Sequence, residues 1–236
     1  MNFVKDYNKT AIIYDGKRIS YSEVIKKSKY FSTLFDIKPQ DKVIIFMENR
    51  PELLYSFLGT WDKRGTCVCL DASFSGEELV YYLNDSDAKF IYTSNGSQKA
   101  VVEGLALSGK TSEVKVINVD EIEVKDIEIK EYILKAPERD DIALMLYTSG
   151  TTGNPKGVML KFDNILVNIE GLDKYKMFIS EDIVLALLPM HHIFPLLGAG
   201  VVPLAKGATI VFLKELSSQA MVEAFKEHRV TMMIGV

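Results

Sequence analysis

Four hydroxyl side chains (Thr148, Ser149, Thr151 and Thr152), three glycines (Gly150, Gly153 and Gly157) and one cation, Lys156, fall within ten residues of the stretch "YTSGTTGNPKGV". Glycine admits backbone angles that turn successive N–H groups into one concavity. The hydroxyls add donors, and lysine adds a point charge on a long stem. Such a donor set suits a phosphate. Pro155 stiffens the loop beside the lysine. Two common phosphate motifs do not fit. The pattern G-x-x-x-x-G-K-[ST], started at Gly150, meets Pro155 where its second glycine belongs and Gly157 where Ser or Thr belongs. The G-x-G-x-x-G fingerprint is not matched either. A second group stands in "LPMHHIFPL", where His191 and His192 follow an apolar, strand-like run. A lone histidine among apolar residues usually packs, whereas a pair just past a strand end can meet a substrate. His228, at the end of a helical pattern, reads as a surface residue.

These residues need a frame. The hydrophobic pattern alternates strand and helix. "TAIIYDGKRIS" reads as a hairpin turning at Asp15-Gly16. Ser20 with Glu23 and Ser75 with Glu78 read as capping boxes. "DKVIIFM", "TCVCLD", "AKFIYTS" and "EVKVINV" read as strands, separated by helices over "PELLYSFLGTWDKR", from Ser75 to about Leu83 and from about Gln98 to Leu107. "IALMLYTS" is a buried strand leading into the Gly/Thr loop, and "KGVML" is extended. "FDNILVNIEGLDKYK", "DIVLALLP", "ATIVFL", "SQAMVEAFKEH" and "VTMMIGV" follow as helix, strand, strand, helix and strand. "IFPLLGAGVVPLA" reads as a buried helix broken around Pro203. The fold class is therefore α/β, with mostly parallel sheets flanked by helices. The charge-dense segment 119–141 reads as a solvated connection carrying an edge strand, joining layers 1–118 and 142–236.

The chain has 236 residues, a net charge of -4 and a pI near 5.5, so no basic field points to nucleic acid. No run reaches the ~20 apolar residues that span a bilayer, and the first residues lack a signal-peptide core. Cys67 and Cys69 point to one strand face, a poor geometry for a bridge, and no Cys/His group has metal-ligand spacing. A reducing, cytoplasmic compartment is expected, with at most peripheral membrane contact. "HRVTMMIGV" stops inside a β-prone run, so Val236 reads as a cut within an element.

The Gly/Thr stretch resembles the phosphate-loop signature of the adenylate-forming superfamily, which includes acyl-CoA synthetases (AMP-dependent synthetases and ligases), firefly-type luciferases and peptide-synthetase adenylation domains. Other segments resemble that superfamily in the same order. They are "ISYSEVIKKSKYFSTLF", "RGTCVCLDASFSGEELVYYLNDSDAKFIYTS", "LLPMHHIF" and "KEHRVTMMIGV". Gly65 and Asp71 match common positions, while Cys69 replaces a frequent proline. The resemblance implies the N-terminal part of an AMP-binding domain, with the C-terminal catalytic domain absent and the isolated piece inactive. It implies that Thr148, Ser149, Gly150, Thr151, Thr152, Gly153 and Lys156 grip ATP. Thr152, Lys156 and His192 would act in catalysis, and His192 with Phe194 would meet the carboxylic acid. The implied partners are ATP, magnesium (its ligand downstream of residue 236), the acid and coenzyme A. The apolar stretch "HHIFPLLGAGVVPL" leans toward a medium- or long-chain fatty acid. Two alternatives stay open: an adenylation domain loading an amino or aryl acid onto a carrier protein, and a non-catalytic nucleotide-binding module.

Overall fold

The structure is a computed structural model and describes residues 3–123, 133–148 and 154–235. β1 (Thr10–Tyr14) and β2 (Lys17–Ser20) form the expected hairpin. Its turn residues have φ of 50° at Asp15 and 72° at Gly16, the left-handed angles that a two-residue turn matched to strand twist demands. Ser20 caps α1 (Tyr21–Leu34): its hydroxyl accepts from the Glu23 N–H, and the Glu23 carboxylate accepts from the Ser20 N–H. Next come β3 (Lys42–Phe46), α2 (Pro51–Asp62), β4 (Thr66–Cys69), α3 (Gly76–Ser86), β5 (Phe90–Thr93), α4 (Gln98–Ser108) and β6 (Lys115–Asn118). Ser75 and Glu78 cap α3 in the same reciprocal way. After the charged connection come β7 (Ile142–Thr148), β8 (Lys156–Lys161), α5 (Phe162–Lys174) and β9 (Ile183–Ala186).

The run 193–206 departs from the expected break. It is α6 (Ile193–Pro195), a π-turn over Leu196–Val201 and α7 (Val202–Lys206), one continuous helical path. The Val202 N–H bonds to the Leu197 carbonyl, five residues back. This wider turn comes just before Pro203, where a proline ring would otherwise crowd the preceding turn. β10 (Thr209–Phe212), α8 (Ser218–His228) and a two-residue β11 (Met232–Met233) complete the order. β11 is shorter than the strand expected there, and Val236 lies outside the described residues.

The strands form two sheets, ordered β6-β5-β3-β4-β7-β8 and β11-β9-β10-β1-β2. Each is parallel except for one antiparallel edge strand, β8 and β2 respectively. Membership crosses the charged connection both ways. The opening hairpin joins the second half through Ile12–Ile210 and Ile13–Val211, while β7 extends the first sheet beside β4. Residues 124–132 of that connection lie outside the described residues, and its described part carries no strand. Leu134 is buried, Lys135 donates its N–H to Asp62 at 2.8 Å, and Asp141 takes two hydrogen bonds from Arg64.

Alternation along β3 shows how the layers are made. Val43 and Ile45 face the cluster shared by both sheets, α1, α2 and α5, while Ile44 and Phe46 face α3 and α4. A third, smaller cluster seats Ala224 of α8 on Ile13, Leu185 and Val211. Among the described residues no helix is long and apolar enough to cross a membrane.

Cys67 and Cys69 are free and buried on one face of β4. Burial pushes both thiols up, Cys69 to about 12. Since the thiolate is the reactive form, iodoacetamide at pH 8 is expected to leave both unlabelled in the native protein and to label both after unfolding. Mass spectrometry reads the result. Native labelling at the rate of an open thiol would contradict the burial.

Candidate functional site

β7 is a buried strand whose last residue, Thr148, reaches solvent at its carboxyl end. β8 returns antiparallel beside it in a register that sets Thr148 opposite Lys156 and Tyr147 opposite Gly157. Directly opposed residues project to the same sheet face, so a hydroxyl and an ammonium flank the loop between them. Of that loop, Ser149, Gly150, Thr151, Thr152 and Gly153 lie outside the described residues. Gly157 is a close-approach site. A Cβ there would fall 2.2 Å from Met145 Cε and 3.4 Å from the Tyr147 ring, so any larger residue requires the end of the Met145 side chain to turn aside.

The histidines arrive from the other sheet. After β9 the chain crosses toward β3, where Asn49 holds it at two points. Asn49 Nδ2 donates to the Leu188 carbonyl at 2.8 Å, and the Met190 N–H donates to Asn49 Oδ1 at 2.9 Å. Met190 is fully buried, His191 is partly buried and His192 is exposed. His191 and His192 stand with their Nε2 atoms 3.0 Å apart. Asp71, just past β4, places Oδ2 3.6 Å from His191 Nε2. Its other oxygen accepts from the N–H and hydroxyl of Ser73 at 2.9 and 2.7 Å. Burial alone would raise Asp71, but the Ser73 bonds and the two imidazoles hold its carboxyl below the usual range. Burial lowers His191, against the pull of Asp71, and His192 adds to the lowering. His191 is therefore neutral at pH 7, and the Nε2 contact works only if one ring donates while the other accepts.

These groups meet at a cavity of about 250 Å³ at the carboxyl ends of β4 and β7. Thr148, Pro155, His191, His192, Asp71 and the rings of Tyr82 and Tyr147 line it. His192 and Thr148 thus share one cavity. Lys156 and Phe194 are exposed and lie outside its lining. Asp71, Tyr82 and Tyr147 were not singled out from the sequence as site residues; the available signal was that Asp71 and Tyr147 stand at strand ends, where open α/β sheets put ligands. Among the described residues no three His, Cys, Asp or Glu side chains gather as a metal site.

The stretch "HHIFPLLGAGVVPL", read as leaning toward a fatty acyl pocket, is mostly core. Leu196, Ala199, Val201, Val202 and Leu204 are all buried in the central cluster, and only Ile193 and Phe194 of this run's large apolar residues are exposed.

Residues 2–236 match the family model described as AMP-binding enzyme. The chain is 28% identical to 4-coumarate–CoA ligase 3 of Oryza sativa subsp. japonica over 92% of its own length and 41% of the relative's. It is 27% identical to 2-succinylbenzoate–CoA ligase of Bacillus subtilis (strain 168), covering 96% of itself and 45% of that protein. A solved structure of o-succinylbenzoate coenzyme A synthetase from Bacillus subtilis, in complex with ATP and magnesium ion, superposes with a TM-score of 0.81 at 26% identity, over 97% of this chain and 60% of that one. The chain thus spans under half the length of the two curated relatives.

Proposed function

Because this chain belongs to the AMP-binding enzyme family, we propose that it forms the phosphate-gripping part of an ATP-dependent acid–thiol ligase. In that chemistry a carboxylate oxygen attacks the α-phosphorus of ATP and pyrophosphate leaves. A thiol, coenzyme A in this reading, then attacks the acyl carbonyl and AMP leaves. Carboxylate and triphosphate repel each other, so the site must offset charge where pyrophosphate departs and hold the reacting atoms in line.

One observation carries the reading. The register of β7 and β8 sets Thr148 opposite Lys156, the two residues that bracket the Gly/Thr segment in sequence, and Thr148 lines a cavity that His191 and His192 also line. Thr148, Ser149, Thr151, Thr152 and the loop amides would hold the phosphates, and Lys156 would offset their charge. His192 would meet the acid, with Phe194 beyond it. Magnesium, when bound with ATP, neutralises phosphate charge; the residues described here contribute no ligand cluster for it.

For the acid, a medium- or long-chain fatty acid is supported only by the exposed Ile193 and Phe194 beside His192. An aryl acid is a second reading, favoured by the 4-coumarate and 2-succinylbenzoate specificities in the relatives' names. ATP–pyrophosphate exchange by the whole protein, run with fatty acids from hexanoate to palmitate, with aryl acids and with amino acids, separates them. Exchange with one acid class, followed by AMP and a CoA thioester, is the expected result. Exchange with amino acids only would replace the ligase by a carrier-loading enzyme, and no exchange with any acid would remove the activity.

A further inference from the structure

We propose that helix α3 is a brace for the phosphate loop, with Tyr81 and Asp85 as its positioning residues; this rests on the reading of that loop as the ATP grip. Four apart on α3, the two side chains share one helix face. The Tyr81 hydroxyl donates to the Pro155 carbonyl at 2.6 Å, where the loop returns to β8. Asp85 Oδ2 accepts from the Tyr147 hydroxyl at 2.8 Å, where β7 enters the loop. One helix face therefore holds both ends of a glycine-rich segment.

The bonds are backed by packing. Tyr147 meets Tyr82 edge-on, with ring centroids 4.7 Å apart, and Tyr82 stacks on Phe74 at 4.9 Å. Burial and the neighbouring Asp85 raise the Tyr147 phenol, so it keeps its proton and remains a donor throughout the neutral range. The helix is itself anchored, by its capping box at Ser75 and by Lys110, whose ammonium donates to the Leu83 carbonyl at 3.0 Å. Pro155 has no N–H, so its carbonyl is the only backbone group that residue can offer. Tyr81 uses it to fix the point where the chain returns to β8. With both flanking positions already held, less ordering remains to be done on binding, which favours affinity.

The test measures ATP binding to the whole protein by calorimetry, together with the KM values for ATP and acid and the thermal midpoint. Tyr81→Phe and Asp85→Ala are each expected to weaken ATP binding about three- to tenfold, the effect of one lost hydrogen bond. The KM for the acid should not move. Asp85→Asn, which keeps an acceptor, should retain wild-type affinity, and Tyr147→Phe combined with Asp85→Ala should be no worse than either change alone. Unchanged ATP affinity in Tyr81→Phe would overturn the brace while leaving the loop's role intact. So would equal rises in both KM values accompanied by a lower midpoint, since that is what a merely structural contact produces. Wild-type protein that binds no ATP would sink the brace and the parent reading together.

Discussion

Thr152→Ala in the whole protein is expected to slow ATP–pyrophosphate exchange by about tenfold or more, because one preorganised donor to developing anionic charge commonly contributes about 10²-fold or more. The expectation starts from the resemblance of "YTSGTTGNPKGV" to a phosphate-loop signature, and Thr152 is its fourth Ser or Thr. The surrounding geometry gives it a physical setting. The segment follows β7, which pairs with β4 on one side and β8 on the other, and continues into β8 in a register that sets Thr148 opposite Lys156. Thr152→Ser, which keeps the hydroxyl, should restore most of the rate. If exchange persists at the wild-type rate in Thr152→Ala, that hydroxyl does not meet the departing pyrophosphate.

Trp61→Ala should cost about 3–5 kcal/mol of folding stability, the usual range for deleting a large buried aromatic. That is a large share of the ~5–15 kcal/mol by which most domains are stable. Trp61 is 1% exposed and meets three rings, Phe3, Phe57 and Phe162, at centroid distances of 5.4, 4.5 and 5.2 Å. Its indole N–H also donates to the Ala143 carbonyl at 2.8 Å. The residue thus ties α2 to the start of β7, the strand that delivers Thr148. Trp61→Phe separates the two contributions: it keeps most of the apolar volume but leaves the buried carbonyl without its donor, which costs about 1–3 kcal/mol. Urea unfolding with an unchanged m-value measures both. A loss below about 1 kcal/mol for the alanine variant would mean that the site collapses around the gap more completely than its packing indicates.

The amino-acid sequence alone determined the local features, because their causes lie within a few residues. Both capping boxes need only a Ser and a Glu three residues on, and the Asp15-Gly16 turn needs two residues that accept positive φ. The period of apolar residues set strand against helix, and the alternation of the two marked the parallel sheets. The hydroxyl, glycine and lysine content of 148–157 pointed to a phosphate before any strand was placed. The proline at 203 misled, because a break and a π-turn both answer the crowding it causes, and the choice depends on the surrounding core.

Only the tertiary structure decided which strands share a sheet and which groups share a cavity. β1 pairs with β10, about two hundred residues later, through apolar side chains that would suit many partners equally. Asp71 reaches His191, Asn49 holds the chain before the histidines, and Tyr81 reaches Pro155. Each of these contacts joins segments from different strands or helices. Short-range periodicity has no term for such pairs; they arise when the two sheets are packed and their carboxyl ends are brought to one crevice.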